Sequence, residues 1–399
     1  MTFDYPVLQL QPGREYALTQ GHPWLFSGAF RKLPRELPAG SVVDVAASGG
    51  EWVGRGHLTP ANSLAFRLLT RDRDEAIDES FYARRVEKAL ALRRLLAPNV
   101  NAYRLVHAEA DALPGVIVDR YDRWLVVQLH TAGAERDREM SLAALRRVMQ
   151  PEGILVRNDV RVRAREGLEV GGAEVALGTV PETIEIREGA VRYLVDPYGG
   201  QKTGFFLDQR EKRTRIAQLA PHYGSLLNCF SYSGSFALAG LAANLGLRTV
   251  NVDSSAPALE LARRNYALNG HDPDAHGFVE GDVVRYLQRA AQAGERFDLV
   301  ILDPPAYAKS VAMKERALRG YETLNHLGAQ AVAPGGLLLT CSCSGGVDYG
   351  EFEGAVRAGL RRAERLGQIL DIFGPSLDHP TLPGFLEDRY LKALLLRIE

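Results

Sequence analysis

Leu226-Leu227-Asn228-Cys229-Phe230-Ser231-Tyr232-Ser233-Gly234-Ser235-Phe236 carries the fold assignment. Ser225–Phe230 reads as a buried strand that breaks into serine and glycine, and a small-residue helix, Phe236–Leu245, follows. Serine and glycine after a strand let a ligand approach the backbone closely, although a plain structural turn reads equally well. The same rhythm continues downstream. Arg248–Val252 is a strand and Pro257–Asn269 a helix; Phe297–Leu302 is a strand, Glu315–Val332 a helix and Gly336–Cys341 a strand. Strands alternating with helices predict parallel βαβ units and a doubly wound, Rossmann-like α/β sheet. Ligands of such sheets lie at the carboxyl ends of the strands.

The strand ends are therefore the candidate site. The turn Phe230, Ser231, Tyr232, Ser233, Gly234 is not spaced as G-x-G-x-x-G, which argues against a nicotinamide-dependent oxidoreductase. Asp253 ends the second strand and suits ribose hydroxyls, with Ser254 beside it; a helix cap is the compatible alternative. Asp282 is placed to meet an adenine amino group, or to cap the helix through Leu287. Asp303-Pro304-Pro305-Ala306-Tyr307-Ala308-Lys309 holds one carboxylate on a turn whose two prolines fix φ and remove two amide donors. Tyr307 can stack on a flat base or pack in the core. Leu337–Thr340 runs into Cys341-Ser342-Cys343. Cysteines two apart share a strand face, which leaves Cys343 nearer the open edge and Cys341 packed beneath. Cys229 reads as packing.

Composition sets the limits. The chain has 399 residues, 48 Lys+Arg against 49 Asp+Glu, 46% hydrophobic and 24% charged residues. Two or three domains are expected, and wholesale disorder is excluded. A net charge of −1 argues against crude electrostatic nucleic-acid binding, but not against a local basic groove. Three cysteines form no disulfide framework and no zinc pattern, so no metal is expected and a reduced, cytoplasmic protein is. No signal peptide or membrane-spanning run is read.

Upstream, short apolar stretches at Val42–Val45, Trp52–Gly54 and Leu64–Leu69 suggest a small β-rich domain over residues 1–75. Residues 76–190 read as a mixed α+β domain. Its parts are a helix over 76–97, a hairpin at Val116–Arg120 and Trp124–Leu129, a helix Ala134–Met149 and a strand Ile154–Val156. Residues 191–399 form the third domain. Arg157, Arg161, Arg163 and Arg165 recur so that a strand would put the last three on one face, a candidate RNA contact or a solvated strand face.

Together these residues resemble the PUA-domain-containing class I methyltransferases that make 5-methylcytosine in large-subunit (23S) ribosomal RNA, the RlmI/RlmO type. His22-Pro23-Trp24-Leu25-Phe26-Ser27-Gly28 and Gly54-Arg55-Gly56 resemble its PUA segment. Glu109–Gly115, Asp119-Arg120-Tyr121 and Asn158–Glu169 resemble its middle domain. Gln201-Lys202-Thr203-Gly204-Phe205-Phe206-Leu207-Asp208-Gln209-Arg210 is its most distinctive signature. The resemblance implies S-adenosylmethionine as methyl donor, contacted by Phe230, Ser231, Tyr232, Asp253, Asp282 and Asp303, with help from Lys202, Thr203 and Gln209. It also implies ribosomal RNA, or an assembly intermediate, as partner, and a homodimer is compatible with it. Many RNA cytosine-5 methyltransferases carry a second cysteine near Asp303; here the position reads Pro-Pro, as expected of this type.

The chemistry expected is covalent. Cys343 as thiolate adds to carbon 6 of cytosine, and Asp303 bonds nitrogen 3 or the amino group. Lys202 or Lys309 would favour the thiolate, while Tyr307, Lys309, Arg161 and Arg163 would contact substrate. The rivals are a base-nitrogen methyltransferase, which needs no cysteine, and a non-catalytic ribosome-assembly factor.

Overall fold

The computed structural model describes residues 4–96, 99–308 and 313–399. By its contacts the chain forms two compact units. The first comprises Met1–Ile186, Val195–Leu207 and Leu377–Leu386, and the second Arg187–Leu194, Asp208–Ser376 and Glu387–Glu399.

The first unit opens with five short strands: β1 (Val7–Gln9), β2 (Trp24–Phe26), β3 (Ser41–Ala46), β4 (Trp52–Leu58) and β5 (Leu64–Thr70). They pair in the order β1-β3-β4-β5-β2 around Leu10, Val43, Val45, Leu58 and Phe66, which is the β-rich unit read from the sequence. A second sheet follows from β6 (Ala102–His107), β7 (Val116–Tyr121), β8 (Trp124–Leu129), β9 (Gly153–Arg157) and β10 (Ala173–Gly178), ordered β10-β9-β8-β7-β6. The helix expected over 134–149 is two, Ala132–Arg136 and Arg138–Met149. Asp137 lies between them, and its carboxylate accepts from the Tyr82 hydroxyl at 2.6 Å and sits 2.8 Å from His57 Nε2. Buried Glu166 ties both sheets together, accepting from Asn62 and Arg67 of the first and the Ala132 backbone of the second.

A polar core lies under β6. Arg104 donates through Nε and Nη2, one edge of its guanidinium, to both carboxylate oxygens of buried Asp119, and its backbone N–H donates to Asp378. His379 packs 5.1 Å from the His107 ring and sits 2.9 Å from Asp378. Burial, then the Arg104 charge, pushes His379 and His130 down to about 4. Both stay neutral in the folded protein while the unfolded chain takes up protons near pH 6.5. Their contribution is therefore present above pH 6.5 and lost as pH falls toward 4, by about 3 kcal/mol for each at most. Urea titrations should show stability falling steeply over that window, with a shallower fall in His379→Gln. An unchanged slope in the variant would refute the assignment.

A separate hairpin pairs β11 (Ile184–Glu188) with β12 (Val191–Val195). The second unit is built on a seven-stranded sheet of β13 (Ser225–Cys229), β14 (Arg248–Asp253), β15 (Gly277–Glu280), β16 (Phe297–Leu302), β17 (Val332–Ser342), β18 (Gly367–Phe373) and β19 (Lys392–Ile398). Its order is β15-β14-β13-β16-β17-β19-β18. The first five are parallel, and β19 runs antiparallel between β17 and β18. β13, β16 and the second half of β17 are almost wholly buried, as their largely apolar sequences require when helices cover both faces. Strand order reverses between β13 and β16, the switch point where doubly wound sheets bind ligands. The reversed strand β19 was not among the predicted elements. No described helix is long and apolar enough to cross a membrane.

Candidate active site

One loop at the switch point, the turn after β13, is strained. Phe230 and Tyr232 sit at φ of 58° and 44°, a left-handed conformation that side chains rarely adopt. Gly234, at φ 71°, completes the turn, and a Cβ there would stand 3.0 Å from the Ala262 methyl. The strain is held by Asp253, which accepts from the Tyr232 backbone at 2.9 Å and the Ser255 backbone at 3.0 Å. Asn265 fixes the Ser233 carbonyl at 3.0 Å. Inside this cradle the buried Ser231 hydroxyl has no hydrogen-bond partner among the described residues. A buried hydroxyl left without a partner costs stability, so the loop fits a ligand that supplies one.

The helix-cap role read from the sequence is taken by Asp282 and not by Asp253. Asp253 lies at the carboxyl end of β14, but the helix cap is Ser255, whose side chain accepts from Ala258. Asp282 caps the helix Val283–Ala293 by accepting from the Arg285 backbone, and it remains exposed. Ser254 is exposed beside them.

Across the switch point, Asp303 follows β16. The Gln209 amide donates to Asp303 Oδ2 at 2.8 Å, which sets the plane of the carboxylate. Gln209, read as a cofactor contact, is thus placed on Asp303. Cys343 follows β17, half-buried, and its thiol donates to the Pro304 carbonyl at 3.7 Å. Ser344 joins the same two loops, its hydroxyl accepting from the Ala308 backbone at 3.0 Å and lying 2.9 Å from the Tyr321 hydroxyl. Cys229 and Cys341 are fully buried, and burial pushes both thiols far up. Of the three cysteines only Cys343 reaches the loop surface.

Tyr307 packs 4.9 Å from the Tyr321 ring and lies over Gly320, where a Cβ would come within 2.9 Å of it. It remains half-buried, and burial raises its hydroxyl, with the Cys343 and Asp282 charges adding to the shift.

Several expected contacts fall elsewhere. Lys309 lies outside the described residues. Lys202 and Thr203 belong to the first unit, with Lys202 Nζ 4.6 Å from the Phe206 ring. Thr203 is fully buried; its hydroxyl donates to Asp119 and lies 2.8 Å from the Tyr121 hydroxyl, so it is engaged in the polar core and not offered to a cofactor. The arginine series is not a strand. Val162–Arg165 is a short helix, which turns successive side chains to different sides. Arg163 is buried and donates to the Glu169 carbonyl and to Glu135, so only Arg161 and Arg165 face solvent. Arg157 is likewise buried, donating to Asp159 and the Gly200 carbonyl.

The sequence reading missed one charged group at the site. Lys392, the first residue of β19, is buried and donates to the carbonyls of Ser344 at 2.8 Å and Val347 at 2.7 Å. Burial lowers it to about 8, and Cys343, Asp348 and Glu351 pull it back up. The lysine that begins the apolar run Lys392–Ile398 was the only local signal.

The chain is similar to known methyltransferases along its whole length. Residues 161–372 match the S-adenosylmethionine-dependent methyltransferase family, and residues 8–71 match the PUA-like domain. Ribosomal RNA large subunit methyltransferase I of Alteromonas mediterranea is 40% identical over 393 residues, 98% of each chain. That of Klebsiella pneumoniae strain 342 is 38% identical over 397 residues, covering 99% of this chain and 98% of its own. The fold matches a methyltransferase solved in complex with SAH, with a TM-score of 0.83 at 22% identity over 98% of this chain and 100% of that one. It also matches a SAM-dependent methyltransferase from Streptococcus mutans, with a TM-score of 0.82 at 23% identity and the same coverage.

Proposed function

The chain belongs to the ribosomal RNA large subunit methyltransferase I family, the S-adenosylmethionine-dependent enzymes with a PUA-like domain, and from that premise we propose that it makes 5-methylcytosine in large-subunit ribosomal RNA through a Cys343–cytosine adduct. The observation that carries the reading furthest is the half-buried Cys343 thiol against the Asp303-Pro304-Pro305 turn. A thiol has no work to do in base-nitrogen methylation.

S-adenosylmethionine supplies the methyl group when bound. The strained Phe230–Gly234 turn, the Ser231 hydroxyl and the Asp253 and Asp282 carboxylates would hold it. The Cys343 thiolate adds to carbon 6 of the flipped cytosine, which makes carbon 5 nucleophilic. Asp303, oriented by Gln209 and holding a proton, donates to nitrogen 3 and relieves the charge that develops as sulfur adds; once carbon 5 carries the methyl group, a base takes the carbon 5 proton, and the electron pair expels the Cys343 thiolate from carbon 6. Tyr307 offers its exposed face for stacking on the base. Exposed Arg161 and Arg165 would contact RNA backbone, with much of the specificity coming from shape and unpaired bases.

The test is nucleoside mass spectrometry after incubation with labelled S-adenosylmethionine and unmodified large-subunit RNA, free or in an assembly intermediate. Label in 5-methylcytosine is the expected result. Label in a methylated purine would replace this reading with nitrogen methylation. Binding of both partners without label on either substrate would favour a non-catalytic assembly factor.

A further inference from the structure

A thiol beside a carbonyl oxygen is not activated by that contact, since the carbonyl accepts from S–H and favours the neutral form. Of the cations expected from the sequence to oppose this, Lys309 lies outside the described residues and Lys202 belongs to the first unit. The cation that the fold does place there is Lys392. In the antiparallel pairing of β17 with β19, Lys392 stands directly opposite Ser342, one residue before Cys343. Its Nζ reaches under the turn and donates to the carbonyl of Ser344, the residue after Cys343, and to that of Val347.

We propose that the Lys392 ammonium, clamped by the Ser344 and Val347 carbonyls, is the positioning residue of the nucleophile, fixing the Cys343 turn and supplying the charge that favours its thiolate. The inference rests on the reading of Cys343 as nucleophile, and three observations carry it. Two backbone carbonyls can only accept, and the charged ammonium is the stronger donor to both. The buried setting weakens solvent screening between Lys392 and its neighbours. The acids that face it have other cations or donors: Glu351 pairs with Lys314 at 2.5 Å, and Asp348 and Glu351 cap the helix Tyr349–Arg362 reciprocally.

Other titratable groups stand near the thiol. Asp303 and Lys212 act on Cys341, deeper in β17. Lys212 is itself clamped, by the carbonyls of Asp208 and Gly374 at 3.2 and 2.8 Å. Tyr307 and Tyr321 are both held neutral, their hydroxyls raised first by burial.

The experiment is the pH profile of Cys343 alkylation by iodoacetamide, followed on the Cys343 peptide by mass spectrometry, in wild type, Lys392→Met and Lys392→Arg. The wild-type midpoint should lie below ~8.5, the value of an ordinary thiol. Lys392→Met should raise it by at least about one unit, slowing alkylation roughly tenfold at pH 7. Lys392→Arg should keep it within a few tenths of wild type. A merely structural clamp would alter the plateau rate at high pH and leave the midpoint in place, and that result would overturn the proposal. A wild-type midpoint at or above that of an ordinary thiol would overturn it without any variant, even if Lys392→Met fails to fold. Because alkylation needs neither cofactor nor RNA, its outcome is separable from whether Cys343 serves methyl transfer.

Discussion

Cys343→Ala should abolish formation of 5-methylcytosine, by at least ~10⁴-fold, while S-adenosylmethionine binds as before. Such a loss corresponds to about 5.5 kcal/mol of barrier. Carbon 5 of cytosine is too weak a nucleophile to take a methyl group unless something first adds at carbon 6, and removing the adding group removes the pathway. No substitute stands by. Cys341 is fully buried two residues earlier on β17, and Cys229 is fully buried at the end of β13, both with thiols pushed far up by burial. The side chain lost is small and half-buried, and its contact with the Pro304 carbonyl at 3.7 Å is a weak one, so the fold should hold. The residues that would cradle the cofactor lie on the loops after β13 and β14 and keep their own bonds, such as Asp253 to the Tyr232 backbone. The measurement is labelled 5-methylcytosine per RNA together with equilibrium cofactor binding. Retained 5-methylcytosine in the variant would dismiss the covalent route. Loss of both readouts would show that Cys343 supports the structure of the cleft rather than its chemistry.

What was legible in the sequence was local. β13, β16 and the end of β17 announce themselves because a strand buried on both faces must be apolar throughout, and Asp303 is marked by two prolines that stiffen the turn after it. Cys343 over Cys341 followed from the two-residue period and from position along β17. The differences concern contacts that sequence spacing does not show. Thr203 looks like a cofactor contact in its motif, yet its hydroxyl is satisfied by Asp119, 84 positions away. Arg163 fits an alternating strand on paper, but its guanidinium is taken up by Glu135 and by backbone carbonyls, including that of Glu169, which closes the segment into a short helix. Lys392 could not be assigned to Cys343 because nothing local says that β19 reverses direction and slots between β17 and β18. That pairing is decided by sheet register, and it alone brings the lysine beneath the turn.

Asp303→Asn should lower kcat by ~10²–10⁴-fold, the range typical of a lost proton-transfer group. Asparagine is nearly the same size, and its carbonyl can still accept the Gln209 amide that now lies 2.8 Å from Oδ2. The flanking Pro304 and Pro305 hold the backbone in either case. The variant can therefore still present a donor to nitrogen 3 of the base, or an acceptor to its amino group. It cannot pass a proton as sulfur adds to carbon 6 and negative charge moves onto the ring. The size of the loss thus separates proton delivery from simple positioning: a drop of less than about tenfold would assign Asp303 to positioning alone. Cofactor affinity provides the second axis, because Asp303 also borders the expected methyl-donor site. A kcat loss with the Kd for S-adenosylmethionine unchanged places its work on the base, whereas a weakened Kd with kcat preserved would move it to the cofactor. Gln209→Ala calibrates the result. It leaves the carboxyl group in place and removes the bond that sets its plane, so it should cost roughly tenfold and leave the dependence on Asp303 intact. A Gln209→Ala loss as large as that of Asp303→Asn would mean that orientation, and not the proton, is what the carboxyl group contributes.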